Sequence, residues 1–383
     1  MKSIYLDHAA STPVHPEVAK VMLNIMTEQY GNASSVHHFG RSAKKIVSGA
    51  RDTIAAFLGC SPEEWVFTSG GTESDNLAIF GAATAAAASG KGKHIVTTAI
   101  EHHAVLNTCE ELEKEGFTVT YLPVDATGRV SVADVEAALQ EDTILISVMY
   151  ANNEVGTIQP IQEIGQLAAE QGILFHVDAV QVLGLVPLSL HELPVDYMSF
   201  TAHKINGPQG IGGLYIRRGA PLHPRQHGGL QERGRRAGTE SLAGVAGFAK
   251  AVEIAVQGLA ARNERALVLR NMLLQELDRL IGRESYTING NATYLLPSIL
   301  NISIPGARTD VLLMNLDMEG IAAASGSACT SGSLEISHVL QAMKLSENLL
   351  ESAVRFSTGL GNTSEEIEYV ARKIETILKR LRK

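Results

Sequence analysis

Several residues able to act chemically on a small molecule stand directly after short apolar segments of this chain. Lys204 closely follows DYMSF, Asp178 follows ILFHV, and His102 closely follows HIVTTAI. A lysine amine can form a Schiff base with an aldehyde, and a carboxylate can hold a ring nitrogen protonated. Each residue also has an ordinary structural use: aspartate caps helices, a lone histidine is more often structural than catalytic, and Lys204 could equally be an ion-pair partner. Their combination is what indicates a binding site.

The turn SGGT at residues 69–72 has the features of an anion site. Gly71 permits close approach of the backbone, Thr72 offers a hydroxyl, and an alanine-rich stretch that is typical of a helix follows. The N-terminus of such a helix is electropositive and favours a phosphate. A phosphate-bearing aldehyde cofactor needs this turn together with a lysine and a carboxylate, so these residues predict a pyridoxal phosphate site.

One cysteine, Cys329, lies in the polar run SGSACTSGS at residues 325–333. Free cysteine is usually a small buried hydrophobe, so a thiol in such a segment is either incidental or present for its reactivity. The surrounding glycine and serine predict a loop with wide reach. The other two cysteines, Cys60 and Cys109, are expected to be packing residues.

A metal centre is the competing use of the histidines and aspartate. The residues of ligand type are His102, His103, His176, Asp178 and His203. Their spacing contains no HExxH motif, no CxxC pair and no carboxylate cluster, which are common signatures of metal sites. No metal is therefore expected.

The elements that must position these residues are predicted by alternating apolar and helical segments between about residues 64 and 218. Seven runs are expected to be strands of a mostly parallel sheet in an α/β fold: Trp65 to Thr68, HIVTTAI, TVTYLPV, TILISVMY, ILFHVDAV, DYMSFTA and GGLYIRR. In such sheets the carboxyl ends of the strands open on one crevice, so the polar residues that follow them should meet there.

Beyond about residue 240 the pattern predicts a smaller α+β domain. EIAVQGLAARNERALVLRNMLLQELDRLI is expected to be its longest helical segment, and SILNISI and SAVRFST its short strands. The C-terminal helix has a capping box, Thr363 with Glu366, and one apolar face. The expected division is a large cofactor-binding domain of residues 15–255 and a small domain of residues 1–14 and 256–383, which carries the cysteine loop at about 324–336.

Composition limits the class of protein. The chain has 383 residues, 45% of them hydrophobic, which allows a large buried core. The net charge of −9 argues against binding nucleic acid or anionic membranes over the whole surface. Three cysteines, an odd number with no pairing pattern, favour a reduced, cytoplasmic setting. The sequence shows neither an apolar signal core at its start nor an apolar run of about 18 residues, so no membrane span is expected.

Eight motifs resemble, in order and near spacing, those of the NifS/IscS type of cysteine desulfurase in the class V aminotransferase family. They are YLDHAASTP, FTSGGTESDNLAI, EHHAVL, NNEVGTIQP, HVDAVQ, SFTAHKINGPQGIG, RAGTES and SGSACTSGSLE. The resemblance extends from Tyr5 to the C-terminal helix. It implies a pyridoxal 5'-phosphate enzyme of fold type I, with a seven-stranded sheet in the large domain.

The resemblance also implies roles for individual residues. Lys204 would form the Schiff base and move the Cα proton, Asp178 would pair with the ring nitrogen, and His102 would lie against the ring and serve in acid/base steps. Arg355 would hold the substrate carboxylate, although a domain-bridging ion pair is its alternative use. Further cofactor contacts would come from Gly71, Thr72, Asn153 (also near the substrate), Gln181, Thr201, His203 and, from the second subunit of a homodimer, Thr239.

The implied activity converts L-cysteine to L-alanine and leaves a persulfide on Cys329. Its sulfur would pass to an acceptor protein for iron–sulfur cluster, thiolated tRNA or cofactor synthesis, without membrane or direct nucleic-acid contact. A selenocysteine lyase, or another class V pyridoxal phosphate lyase or transaminase, is the alternative enzyme. A catalytically silent scaffold that binds partners is the alternative from another functional class.

Overall fold

The computed structural model describes residues 3–326 and 336–381. Cys329 and most of the predicted cysteine loop lie outside these residues.

The described strands are β1 (Ile4–Tyr5), β2 (Trp65–Thr68), β3 (His94–Thr98), β4 (Thr118–Leu122), β5 (Thr143–Ser147), β6 (Leu174–Asp178), β7 (Tyr197–Thr201), β8 (Gly212–Ile216), β9 (Thr287–Asn289), β10 (Ile299–Ser303), β11 (Ile321–Ala322) and β12 (Ala353–Ser357). The described helices are α1 (Pro16–Glu28), α2 (His38–Leu58), α3 (Gly71–Ala88), α4 (His103–Lys114), α5 (Val132–Ala138), α6 (Ile161–Gln171), α7 (Leu242–Gln257), α8 (Leu259–Ile281), α9 (Thr309–Met318), α10 (His338–Ala342), α11 (Glu347–Leu350) and α12 (Ser364–Leu381).

A seven-stranded sheet forms the centre of the fold, in the order β2-β8-β7-β6-β5-β3-β4. Neighbouring strands from β7 to β4 are parallel, and β8 runs antiparallel to both β2 and β7. Strands β3, β5 and β7 are buried along their whole length, which is why they read as continuous apolar runs. The predicted α/β class and all seven strands are confirmed.

Helices cover both faces of this sheet. On one face α3 packs against β7 and β8, and α4 packs on α3. Alanine makes α3 a strong helix former, and small side chains let it be buried nearly all round. On the other face α1 and α2 both pack on α7, over a core that includes Trp65, Phe200 and Phe248.

A second core lies around β10, β12, α8, α9 and α12. Its buried members include Leu6, Leu273 and Phe356. The predicted capping box is present, because the Thr363 N–H donates to Glu366 at 3.2 Å and the Glu366 N–H donates to Thr363 Oγ1 at 3.3 Å. The division of the chain into domains stays a prediction.

The prediction of one long helix through residues 253–281 was wrong. Helix α7 ends at Gln257 and α8 begins at Leu259, with a bend of 70° between them. Gly258 stands at the break, where the absence of a side chain lowers the preference for helix. The bend lets α7 pack against α1 and α2 while α8 packs against α12.

Among the described residues no single helix combines the length and apolarity of a membrane span, and α7 with α8 reaches that composition only when counted together across their bend.

Candidate active site

A cavity of about 310 Å³ lies at the carboxyl ends of the parallel strands. Its wall brings together residues that are far apart in the chain, from the loop after β1 to strand β12. The predicted site residues that line it are Gly71, Thr72, His102, Asn153, Asp178, Gln181, Thr201, His203, Lys204 and Arg355. The polar strand ends thus meet in one crevice.

The N-terminus of α3 forms one side of the cavity. Gly71 is the first residue of the helix, and a Cβ atom there would lie 2.6 Å from Cγ2 of Val180. Thr72 is next in the wall. The N–H groups of a first helical turn have no acceptor within the helix, and the helix dipole adds positive potential there. This side therefore suits a phosphate or another anion.

Asp178 ends β6 at the floor of the cavity and is 7% exposed. Its Oδ1 accepts a hydrogen bond from the Val180 N–H at 2.9 Å. Burial, and then the neighbouring Asp75, raise the pKa of Asp178 to about 7. A buried carboxylate is costly without a cation beside it, so this position favours a bound group with a protonated ring nitrogen.

Lys204 follows β7 in a single 3₁₀ turn, and its amine reaches the cavity. Its Nζ donates hydrogen bonds to the carbonyl oxygens of Ala9 and Ala10, the latter at 2.9 Å. The Gln181 side chain donates to the same Ala9 oxygen at 3.1 Å. The segment after β1 therefore holds the lysine and the glutamine on one side of the cavity.

His102 caps α4, and its Nδ1 accepts a hydrogen bond from the Ala104 N–H at 3.1 Å. Burial, followed by the charge of Lys204, lowers the pKa of His102 to about 4. The imidazole is therefore neutral near pH 7, with its proton on Nε2. Burial also lowers the pKa of His203 to about 4.

Arg355 enters the cavity from β12 and is 1% exposed. One guanidinium nitrogen lies 2.8 Å from Oδ1 of Asp7, and the other donates to the Asn153 carbonyl at 2.9 Å. Its Nε has no hydrogen-bond partner among the described residues. Arg355 therefore forms a long-range ion pair with Asp7, which belongs to the same expected small domain, and it also faces the cavity. Its contact with a substrate carboxylate stays a prediction.

Two predicted residues are not in this wall. Thr239 lines a separate cavity of about 120 Å³ beside Thr68 and Ser69, so its predicted contact from a second subunit stays a prediction.

Cys329 lies outside the described residues, but Gly326, three residues before it, is in the wall. Three residues span at most about 11 Å, so chain connectivity allows the thiol to reach the cavity.

Two buried carboxyl groups were given no role from the sequence, although Glu101 directly precedes His102 at the end of a predicted strand segment. Asp75 lines the cavity and is 1% exposed. It stands one helical turn after Gly71, and that spacing of four residues was the available signal. Glu101 accepts hydrogen bonds from Thr98 Oγ1 at 2.6 Å and from the Met149 N–H at 3.0 Å. Burial raises the pKa of Asp75 to about 7 and that of Glu101 to about 8.

The cysteines in the described part of the chain are poor nucleophiles. Burial raises the pKa of both Cys60 and Cys109 to about 12, which leaves almost no thiolate at neutral pH. Residues 3–326 and 336–381 contain no group of three or more His, Cys, Asp or Glu side chains placed to hold a metal ion.

Comparisons with known proteins agree over nearly the full length. The family model described as aminotransferase class-V matches residues 4–370. A curated relative from Dictyoglomus turgidum, cysteine desulfurase IscS, is 46% identical over 381 residues, covering 100% of this chain and 96% of the relative. A solved structure named NIFS-like protein has a TM-score of 0.93 at 40% identity and covers 99% of this chain and 100% of that chain. A second solved structure, SspA in complex with cysteine, has a TM-score of 0.81 at 36% identity and covers 93% of this chain and 98% of that chain.

Proposed function

The chain belongs to the class-V aminotransferase family, and on that premise we propose that it is a pyridoxal 5'-phosphate-dependent cysteine desulfurase. One observation carries the proposal: a single cavity contains the Lys204 amine, the buried Asp178 carboxyl, His102 and Arg355, with Gly326 of the cysteine segment in its wall. The relative named cysteine desulfurase IscS and the cysteine complex of SspA support L-cysteine as the substrate.

The residues present fit this cofactor. The α3 N-terminus with Gly71 and Thr72 is an electropositive cradle that a Cβ atom would obstruct, which suits the phosphate. Asp178 is a buried carboxyl in need of a cation, which suits the ring nitrogen. Asn153, Gln181, Thr201 and His203 supply the remaining polar wall. When bound, the cofactor supplies an aldehyde that captures amines and a ring that stabilises negative charge at the substrate Cα.

The protein's own groups then divide the work. Lys204 would hold the cofactor covalently through its amine and would carry the proton of the substrate Cα. His102 is neutral near pH 7 and its Nδ1 accepts from the Ala104 N–H, so its Nε2–H can donate a hydrogen bond inside the cavity. Arg355 binds the substrate carboxylate through its guanidinium, whose planar fork matches a carboxylate.

Cys329 takes the sulfur. Its thiolate forms a bond to the sulfur of L-cysteine while the bond between that sulfur and Cβ breaks. The three-carbon fragment takes up a proton and leaves as L-alanine, so one cysteine and one thiol yield one alanine and one persulfide. Cys329 is the candidate nucleophile because it lies in a polar, glycine- and serine-rich segment, whereas burial raises the pKa of both Cys60 and Cys109.

The test uses the full-length protein loaded with pyridoxal phosphate, incubated with L-cysteine and dithiothreitol. Alanine and sulfide should appear in equal amounts. Cys329→Ser should keep the visible absorbance of the cofactor and lose both products, while the control Cys60→Ser should keep both. Borohydride should trap the cofactor on Lys204, as seen by peptide mass spectrometry.

Three results would count against this proposal. Alanine formation that is undiminished in Cys329→Ser would remove the persulfide step. Turnover of L-selenocysteine without turnover of L-cysteine would favour the lyase alternative. Failure to trap a cofactor on Lys204 would favour a silent scaffold.

A homodimer in which Thr239 completes the site of the other subunit is part of the proposal. Large apolar side chains on and after α1 are exposed, including Leu23 (64%), Met26 (67%) and Val36 (89%), as expected for a protein interface. Mixing inactive Lys204→Ala with an impaired Thr239→Val would create one complete site per mixed dimer and restore activity only if Thr239 acts across the interface. Unimpaired Thr239→Val would contradict the role.

The destination of the sulfur, the location and the domain limits are also proposals. The persulfide sulfur passes to an acceptor protein for iron–sulfur cluster, thiolated tRNA or cofactor synthesis in the cytoplasm, where thiols stay reduced. The second core around β10, β12, α8, α9 and α12 supports a small domain of residues 1–14 and 256–383 beside a large domain of residues 15–255. Transfer of ³⁵S from labelled L-cysteine to candidate acceptors tests the first point.

A further inference from the structure

A second cavity, of about 360 Å³, adjoins the candidate active site. Ala9, Gln181 and Lys204 contribute to both cavities, so the segment after β1 forms a shared wall. Most of the remaining lining comes from the segment after β1, the first turns of α8 and the loop after β12, and single residues such as Leu185 and Ile254 complete it. It therefore needs an explanation beyond the reaction already described.

The lining of this cavity is cationic and contains no acidic residue among the described residues. Apart from Lys204, which belongs to the active site, its cations are Arg262 and Arg265, one helical turn apart on α8. This is unusual in a chain with 41 acidic residues and a net charge of −9. The N-terminal end of α8, a helix of 23 residues, adds positive potential.

Arg262 is the more deeply placed of the two arginines. Its Nη1 donates to Oδ1 of Asn206 at 3.2 Å, and burial alone lowers its pKa, with no carboxylate contributing. A largely desolvated guanidinium with one neutral partner retains N–H donors for an anion. Arg265 donates to the Asn362 carbonyl at 2.9 Å and also influences the pKa of Glu365, which is not in the lining.

Two further polar atoms of the lining have no hydrogen-bond partner among the described residues. They are Nδ1 of His8, a side chain 7% exposed, and Oγ1 of Thr358, 9% exposed. Buried polar atoms are normally paired, so these two are unsatisfied hydrogen-bonding positions within the lining residues. They lie in the same cavity as the two arginines.

The remaining wall is apolar. Leu185, Ile254, Leu269, Ile299 and Leu360 line it. A volume of this size lies within the usual range for small-molecule sites. An inorganic anion would use the guanidinium but leave this surface uncovered.

We propose that this cavity binds a small organic anion, a carboxylate with an apolar body, whose charge pairs with Arg262 and whose body packs between α8 and the loop after β12. The proposal is independent of the desulfurase activity, because none of the residues that carry it is in the catalytic cavity.

The test measures binding of hexanoate to the cofactor-loaded full-length protein by calorimetry and ligand-observed NMR. Hexanamide, which has the same shape without the charge, should bind at least about tenfold more weakly. Arg262→Gln should weaken hexanoate by about tenfold or more. The matched control is Arg270→Gln, because Arg270 is a half-buried arginine of the same helix whose pKa is likewise lowered by burial, yet it is not in the cavity.

A second variant protects the test against a misfolded Arg262→Gln protein. Leu360 is 47% exposed and lines the cavity, so Leu360→Glu should fold and repel the anion, with weaker hexanoate binding. Equal affinity in the wild type, Arg262→Gln and Leu360→Glu would overturn the proposal. So would equal affinity for hexanamide, no saturable binding in the millimolar range, or a loss of binding in Arg355→Lys alone, which would locate hexanoate in the active site.

Discussion

The Nε2 atom of His176 lies 3.5 Å from Oδ1 of Asp75 beneath the candidate active site, and both side chains are buried. His176 also contacts the hydroxyls of Ser147 at 2.8 Å and Ser199 at 3.0 Å. Burial lowers the pKa of His176 to about 4 and raises that of Asp75 to about 7. Each shift favours the uncharged form, so between about pH 4 and pH 7 the two residues form a neutral contact rather than an ion pair.

Asp75→Asn should remove the contribution of Asp75 to the pH dependence of stability in the cofactor-free protein. An aspartate in the unfolded chain has a pKa of about 3.9. Between that value and about 7 the folded state holds a proton that the unfolded state releases, so stability falls as pH rises through this window. One fully linked group contributes about 1.4 kcal/mol per pH unit.

The measurement is urea unfolding of the cofactor-free protein at several pH values between about 5 and 7. Asp52→Asn, on the exposed face of α2, is the control and should keep the wild-type slope. Asp178 and Glu101 contribute to the slope with the same sign as Asp75. The histidines whose pKa values burial lowers to about 4 contribute with the opposite sign; they are His8, His102, His176 and His203. The result is therefore read as the difference in slope between Asp75→Asn and the wild type, which should be about 1.4 kcal/mol per pH unit. Identical slopes in all three proteins would show that Asp75 is ionised in the folded state.

Arg355→Lys should raise the KM for L-cysteine by about 10- to 100-fold, with a smaller change in kcat. A lysine keeps the charge but cannot contact Asp7, the Asn153 carbonyl and a carboxylate at once, as the guanidinium fork can. Steady-state kinetics of alanine formation give the result. The exposed Arg372→Lys should be unchanged, and an unaltered KM in Arg355→Lys would reduce Arg355 to a structural ion pair.

Much of the sheet and of the site could be predicted because each depends on local pattern. Strands buried on both faces are predominantly apolar, and in a parallel sheet their carboxyl ends share one edge. Polar residues that directly follow such strands, such as Asp178 and His102, were therefore identifiable one by one.

The site residues and the helix bend that could not be predicted depend on contacts between distant parts of the chain. Asp7 meets Arg355 across 348 residues, and no local pattern indicates which polar group an arginine will reach. Asp75 is inside a helix rather than after a strand. The bend at Gly258 was missed because helical periodicity continues on both sides, and a glycine costs a helix only about 1 kcal/mol.

Glu232→Ala should lower the free energy of unfolding by about 3–5 kcal/mol. Glu232 forms a bidentate ion pair with Arg51, at 2.7 and 2.8 Å, and accepts a hydrogen bond from the Phe67 N–H at 3.0 Å. Both side chains are less than 10% exposed, so removing one leaves a buried, uncompensated charge. Glu232 also lines the cavity that contains Thr239, and the pair helps to hold that loop.

Urea unfolding compares this variant with Glu368→Ala, which removes an exposed ion pair with Arg372 on α12 and should cost less than about 1 kcal/mol. Equal losses of unfolding free energy in the two variants would mean that the buried Arg51–Glu232 pair stabilises the fold no more than an exposed pair does.

Gly71→Ala should weaken the binding of pyridoxal phosphate while leaving the rest of the fold intact. The new Cβ would lie 2.6 Å from Cγ2 of Val180, and a β-branched side chain has few rotamers by which to retreat. The start of α3 must then move away from Val180 and the floor of the cavity, so its N–H groups lose their position for the phosphate. Spectroscopic titration should give a dissociation constant raised by about tenfold or more.

Gly49→Ala, inside α2 with no atom within 4 Å of the new Cβ, should bind the cofactor normally and gain about 0.5–1 kcal/mol of stability. Unchanged affinity in Gly71→Ala would place the phosphate away from the α3 terminus.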